Sequence, residues 1–184
     1  MRVVGGKAKG RRLAGSTSPA TRPTTERVRA AIFNILAPEL YEGRRVLDLY
    51  AGTGSLGIEA LSRGAAWADF VERSPRQCGV IRSNLQNTGL AGQAKVHCAD
   101  VARALATLGG NYRLVLLDPP YQEVDAGVAM SRIAETPGLV APGGMVVVGH
   151  SRHLELTEKY DALRRASLRR YGDNIVEFYQ QEGG

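Results

Sequence analysis

The run Tyr112-Arg113-Leu114-Val115-Leu116-Leu117-Asp118-Pro119-Pro120-Tyr121 drives four consecutive apolar residues into a carboxylate, two prolines and an aromatic ring. Residues 114 to 117 form the uninterrupted apolar stretch expected of a central strand covered on both faces of a parallel sheet. Pro119 and Pro120 end it, because proline has no N–H for the ladder and a fixed φ. Asp118 is thereby delivered to the carboxyl end of a strand, the edge at which open α/β sheets bind ligands. The prolines stiffen the segment, holding the Pro119 carbonyl and the Tyr121 ring at small entropic cost.

That grouping suits work on an exocyclic amine of a nucleobase. Such a nitrogen is a poor nucleophile because its lone pair is delocalised into the ring. Two acceptors, the Asp118 carboxylate and the Pro119 carbonyl, would engage its two protons and draw it toward a tetrahedral, nucleophilic geometry. Tyr121 would stack on the base, a contact worth about 1–3 kcal/mol and enough to hold a displaced base. The plain structural alternative is a strand that ends in a capping Asp and a proline turn.

Upstream, residues 45–49 read as the first strand and lead into Asp48-Leu49-Tyr50-Ala51-Gly52-Thr53-Gly54-Ser55-Leu56-Gly57. Gly52, Gly54 and Gly57 match G-x-G-x-x-G, and Glu72 follows Gly52 by 20 residues, which on its face is the dinucleotide fingerprint of a dehydrogenase. Asp48 argues otherwise. A carboxylate so near the loop repels a pyrophosphate but suits the cationic aminoacyl-sulfonium group of S-adenosylmethionine. Glu72, ending a second strand over 67–71, would accept from ribose hydroxyls. Asp100, after a third strand over 95–98, would accept from an adenine amine. Taken singly, Glu72 and Asp100 read equally as solvated or helix-capping acids. Three acids at successive strand ends, with Asp-Pro-Pro-Tyr at the fourth, form a much stronger signal than the glycines.

Strand–helix alternation fills out the sheet. Helices are expected to about residue 63, over 74–88, briefly after Asp100 and over 125–135, with a turn at Pro142-Gly143-Gly144 before an apolar strand over 145–148. Residues 168–171 and 175–179 flank Gly172-Asp173-Asn174 as an antiparallel hairpin. At the other end, residues 2–13 suggest a basic glycine-turn hairpin and 16–23 a loop. Thr24 would cap a helix of about a dozen residues whose Val28, Ile32 and Ile35 face the main body.

Of the net charge of +6, the first thirty residues hold more than all: eight Lys and Arg against Glu26, with the remaining chain at −1. This localises a surface for a polyanion rather than a merely solvated tail. No apolar run has membrane-spanning length and no signal peptide is recognisable. Cys78 and Cys98 lack metal-ligand spacing and read as reduced, buried or half-buried thiols. The expected compartment is the cytosol. His97, His150 and His153 are scattered and are expected to be structural or superficial, so no metal is expected.

Val46-Leu47-Asp48-Leu49, Ala51-Gly52-Thr53-Gly54, Glu72, Asp100 and Asp118-Pro119-Pro120-Tyr121 resemble, in order, the motifs of class I S-adenosylmethionine-dependent methyltransferases acting on base amino nitrogens. Val4-Gly5-Gly6, Gly10-Arg11-Arg12-Leu13, Arg22-Pro23-Thr24-Thr25-Glu26-Arg27-Val28-Arg29 and Phe33-Asn34 are similar to the RsmD family of 16S ribosomal RNA guanine-N2 methyltransferases. The resemblance implies a Rossmann-like α/β fold: a seven-stranded, mostly parallel sheet with helices on both faces and an antiparallel C-terminal hairpin, carried by residues 24–184. Residues 1–23 would be an RNA-binding extension. It also implies methyl transfer from S-adenosylmethionine to guanine 966, on the small ribosomal subunit or its assembly intermediate, by a monomer, with ribosomal proteins as candidate neighbours. By position, Asp48, Tyr50, Gly52 and Gly54 would serve the methionine side of the cofactor, Glu72 the ribose, and Asp100 with Val101 the adenine. Asp118 and Pro119 would hold the amine and Tyr121 the base. Arg2, Lys7, Lys9, Arg11, Arg12 and Arg22 are the candidate RNA contacts. The rival readings are a DNA adenine-N6 or cytosine-N4 methyltransferase, a non-catalytic RNA-assembly factor, and the dehydrogenase.

Overall fold

The structure is a computed structural model that describes residues 1–15, 24–120 and 125–183. In chain order its elements are α1 (Glu26–Ile35), β1 (Arg45–Leu49), α2 (Ser55–Ser62), β2 (Trp67–Glu72), α3 (Pro75–Thr88), β3 (Ala94–Cys98), α4 (Val101–Leu105), β4 (Tyr112–Leu117), α5 (Ala126–Ala134), β5 (Val140–Ser151), β6 (Lys159–Tyr160), β7 (Leu163–Tyr171) and β8 (Asn174–Gln181). The strands form one sheet in the order β3-β2-β1-β4-β5-β8-β7-β6. The first five run parallel and β8, β7 and β6 pair antiparallel. The sheet thus has the seven expected strands plus an eighth, the two-residue edge strand β6. β1 and β4 are central neighbours, and the direction of winding reverses between them, which opens a crevice at their carboxyl ends.

Alternate residues divide the core into two layers. Val46, Leu114, Leu116, Val147, Val176 and Phe178 pack under α1, α2 and α3. Leu47, Leu49, Val115, Leu117, Val146, Val148 and Tyr179 pack under α4 and α5. β4 is buried from Leu114 through Leu117, as its apolar run requires.

Several local expectations are corrected. Pro142-Gly143-Gly144 is not a turn before β5 but an irregularity within it, where the register against β4 shifts between Tyr112 and Leu114. The C-terminal hairpin begins earlier, at Leu163, because β7 is an exposed, arginine-rich strand without an apolar run. The cap of α1 is Thr25, whose hydroxyl accepts from Val28 N at 3.2 Å. The buried face of α1 carries Arg29, Ile32 and Phe33, while Ile35 is 38% exposed. Cys78 is buried, but Cys98 is exposed rather than half-buried.

Residues 1–15 form a strap laid over α2 and α3. Arg2 and Arg12 make an isolated antiparallel bridge. Val3, Ala8 and Leu13 are buried in the layer beneath α1 and α2. The anchor is Glu59 of α2, itself 0% exposed. Its Oε1 accepts from Gly5 N at 2.7 Å and Arg63 Nε at 2.9 Å, and its Oε2 from Val4 N at 3.0 Å and Arg29 Nε at 3.1 Å. Four donors, two of them cationic, compensate the desolvation of this carboxylate. Gly6 must be glycine: its φ is +76°, and a Cβ would come within 1.9 Å of the Ser62 carbonyl oxygen.

Among the described residues, no helix is long and apolar enough to cross a membrane. His97 bonds Asp69 at 2.8 Å and His150 bonds Glu177 at 3.0 Å, so both rings serve internal networks.

Candidate active site

The loop leaving β1 turns sharply. Tyr50, Gly52 and Gly54 have φ of 54°, 56° and 76°, all left-handed, a conformation unusual for the tyrosine. Gly54 then serves as the N-cap of α2. Gly57 lets α2 lie close on the sheet, since a Cβ there would approach Phe70 Cε1 to 2.4 Å. Beneath the loop, Asp48 is 2% exposed and its Oδ2 accepts from Gly57 N at 2.8 Å. Burial, more than the neighbouring Asp118 and Glu72 charges, pushes its proton affinity well above the ordinary carboxylate range, although the Gly57 bond opposes the shift.

Glu72 ties the first two strand ends together. Its Oε2 accepts from Gly52 N at 2.9 Å and its Oε1 from Ser74 N at 2.8 Å. Each oxygen retains a second lone pair for another donor. Asp100 caps α4 by accepting from Arg103 N at 2.9 Å, so the helix-capping role holds for one of its oxygens. Val101 follows, buried in the layer beneath α4. The half-buried Tyr50 hydroxyl is raised in pKa first by burial and then by the Asp100 charge, against the opposing Arg132 and Arg73. Asp48 lies near enough to Glu72 and Asp118 for their charges to act on it, and Tyr50 near enough to Asp100.

Asp118 and Pro119 follow β4 directly. The Asp118 carboxyl is raised by burial, and a hydrogen bond donated by the Thr24 hydroxyl partly counters this. Beside it opens a small pocket, continuous with solvent, whose wall includes Thr24 and Val28 from the α1 side, Leu56 from α2, and Gly149 and Asn174 from the far strands. Tyr121 and Arg22 lie outside the described residues. Of the remaining basic candidates, Arg2, Lys7, Lys9, Arg11 and Arg12 are all exposed on the strap. Arg2 Nη1 donates to Gly10 O at 2.7 Å and Lys7 Nζ to Gln93 Oε1 at 2.8 Å.

Sequence reasoning missed two pocket residues. Thr24 reads as a helix cap, yet Thr25 suffices for capping; two adjacent threonines where one hydroxyl is needed were the available signal. Asn174 reads as a turn residue, and nothing local marks it as pocket lining. Asn84 was missed as well. This fully buried side chain accepts from Ala14 N at 2.7 Å and donates to Thr53 O at 2.9 Å, which fastens the strap to the glycine loop.

A family model described as Conserved hypothetical protein 95 matches residues 1–180. The chain belongs to this family, that of RsmD and YlbH. Over 186 residues, covering 100% of both proteins, it is 38% identical to the Bacillus subtilis protein named "Putative rRNA methyltransferase YlbH". Over 122 residues it is 41% identical to ribosomal RNA small subunit methyltransferase D of Escherichia coli K12, an alignment covering 66% of this chain and 61% of that protein. A solved structure titled "Putative methyltransferase yhhF from Escherichia coli" superposes with a TM-score of 0.87 at 30% identity, covering 100% of this chain and 99% of the other. The RsmD/YlbH chain described here accordingly has a methyltransferase fold, and the methyl donor expected of it from the sequence is S-adenosylmethionine.

The crevice fits that donor. A Cβ on Gly52 would meet nothing nearer than the Tyr50 carbonyl at 4.0 Å, so the loop presents bare backbone to open space. Glu72 offers spare acceptor capacity beside it, and a cation near Asp48 would favour the ionised form that burial opposes.

Proposed function

We propose that this protein methylates the exocyclic N2 amine of a guanine, position 966, in the 16S ribosomal RNA of the small subunit. The observation that carries the reading is Asp118: a half-buried carboxylate of raised proton affinity at the end of β4, opening on a pocket and close enough to Asp48 to perturb it electrostatically. The choice of ribosomal RNA is supported by the E. coli relative, whose name specifies the small-subunit RNA, and the choice of guanine N2 by the likeness of the Arg22 to Arg29 motif to the RsmD family.

Bound S-adenosylmethionine supplies an electrophilic methyl group on a sulfonium. Asp48 would balance the positive charge at that end of the crevice, Glu72 would accept from the ribose, and Asp100 with Val101 would receive the adenine. Asp118 and the Pro119 carbonyl would accept hydrogen bonds from the two N–H groups of the amine and so direct the nitrogen lone pair away from the ring and toward the methyl donor. Leu56 and Val28 line the pocket with apolar surface, which keeps water from the nitrogen. Once the nitrogen carries the extra methyl group, its surplus proton passes to Asp118 or to water. Tyr121 would stack on the displaced base, and the exposed strap residues Arg2, Lys7, Lys9, Arg11 and Arg12, with Arg22, would meet RNA phosphates.

The test is to incubate the protein and S-adenosylmethionine with small subunits lacking the methylation, and in parallel with naked 16S RNA, then digest and identify nucleosides by mass spectrometry. N2-methylguanosine at position 966 is the expected product. Its appearance from subunits alone would make the substrate an assembled particle. With duplex DNA as a third sample, methylated adenine or cytosine there and no methylated nucleoside from either RNA sample would overturn the proposal.

A further inference from the structure

The register of the far strands extends the site beyond its pocket. Leu117 pairs with Val148, which sets Asp118 level with Gly149; Gly149 pairs with Val176, and Val176 with Arg169. Residues paired across neighbouring strands project from the same face of a sheet. Gly149 and Val176 line the pocket, so the Arg169 side chain emerges on the pocket's face, three strand spacings or about 14 Å from Asp118. In the adjacent row Ser151 pairs with Asn174, and Asn174 with Tyr171. Asn174 lines the pocket too, and Tyr171 packs, half-buried, against the same apolar layer.

Arg169 and Arg170 differ from the other arginines around the hairpin in having no carboxylate partner among the described residues. Arg152 pairs with Asp173, Arg164 with Glu182, and Arg165 with Glu177. Arg169 is exposed, bonds the carbonyl of Leu168 at 2.8 Å, and has no carboxylate partner among the described residues. The adjacent Arg170 pairs with Ile175 and therefore projects from the opposite face. A cation without an acid and an aromatic ring two residues away, both on the pocket's face of the sheet, are the paired elements of single-strand recognition: phosphate attraction and base stacking.

Resting on the reading of the pocket as a base site, we infer that Arg169 and Tyr171 form a landing for the single-stranded RNA that flanks the displaced guanine. Arg169 contacts a phosphate and Tyr171 stacks on a neighbouring base. The strand then crosses the carboxyl edge of the sheet from the pocket onto the C-terminal hairpin, a surface separate from the basic N-terminal strap.

The alternation of faces supplies its own control. Affinity of the full chain for small subunits lacking the methylation would be measured across a potassium chloride series for the parent, Arg169→Ala, Tyr171→Leu and Arg170→Ala, with S-adenosylhomocysteine affinity measured on the same samples. Arg169→Ala should weaken RNA binding by roughly five- to tenfold and lower the salt slope by about one. Tyr171→Leu, which keeps an apolar side chain against the core, should weaken it with the slope unchanged. Arg170→Ala should leave both near the parent, and all variants should keep parental S-adenosylhomocysteine affinity. Equal losses for Arg169→Ala and Arg170→Ala, or no loss for Arg169→Ala, would overturn the landing while leaving the guanine reading intact. A parent that binds no RNA would overturn that reading, and the landing with it.

Discussion

Asp118 and Thr24 meet at the pocket wall, and their contact sets how the site responds to pH. Burial raises the Asp118 carboxyl and the Thr24 hydrogen bond pulls it back. Transfer that needs the ionised carboxylate should decline as pH falls through this raised value, so the acid limb of kcat/KM should lie above the ordinary carboxylate range. Thr24→Val removes the opposing contribution; the limb should move to still higher pH, with S-adenosylhomocysteine affinity unchanged. An unmoved limb would mean that the hydroxyl does not govern Asp118. Asp118→Asn should lower kcat by about 10²–10³-fold. Because the raised proton affinity means that the ionised group costs stability at neutral pH, the same variant should melt no lower than the parent. Asp118 was legible from ten residues, since an apolar run and two prolines locate the carboxylate by backbone chemistry alone. Thr24 was not, because its partner lies 94 positions away and is found only once α1 is packed.

At the scale of elements, the strap and α1 depend on one side chain of α2. Glu59 collects Val4, Gly5, Arg29 and Arg63, and replacing it by alanine leaves the fully buried Arg29 guanidinium without its carboxylate. Such a loss costs about 3–5 kcal/mol; denaturant melts of Glu59→Ala should show it as a lower midpoint. Neutralising Arg11 and Arg12, both exposed, should spare the melt, weaken RNA binding and flatten its salt slope with cofactor affinity kept. Equal loss of stability would make these arginines structural instead. The same packing explains which elements could be read in advance. β1, β2 and β4 are covered on both faces; β4 writes that coverage as the continuous apolar run 114–117, and β1 and β2 as apolar runs each broken by a single buried aspartate, Asp48 and Asp69, so their placement followed from the sequence. β7 faces solvent along much of its length, and its arginines hide its first half. Arg29 on the buried face of α1 defeats a hydrophobic periodicity, because its presence there is licensed by an acid 30 residues later.

For the molecule as a whole, two buried acid networks on opposite parts of the sheet govern acid stability. Burial by itself would raise Asp69, but hydrogen bonds from His97, Tyr112, Arg45 and Trp67 outweigh it and hold this carboxyl below its usual range. Glu177 is likewise lowered, with burial outweighed by His150, Tyr179 and Arg165. A depressed carboxylate contributes stability that is complete above its unfolded pKa, about 3.9 for Asp and 4.3 for Glu, and is lost as pH falls through the folded value. Thermal melts should therefore drop steeply below about pH 4, and Asp69→Asn with Glu177→Gln should flatten that drop while lowering the plateau. The sequence made the crevice legible at this scale because strand–helix alternation dictates where strand ends gather. The charge count was less informative about surface: one of the eight N-terminal cations, Arg29, is wholly inside, while the arginines of β7, Arg169 among them, are hidden in a sum of −1 taken over residues 31–184. The sheet order also bears on synthesis. β8 lies between β5 and β7, so β5, with Val146 and Val148 fully buried in the finished protein, has an unpaired edge until β8 has been made. Residues 152–173, 22 of them, separate β5 from β8, and the edge stays unpaired until they and β8 have been added. A chain that ends between Ser151 and Asn174 and is released keeps that edge open, and such truncated chains should be the ones that yield aggregates.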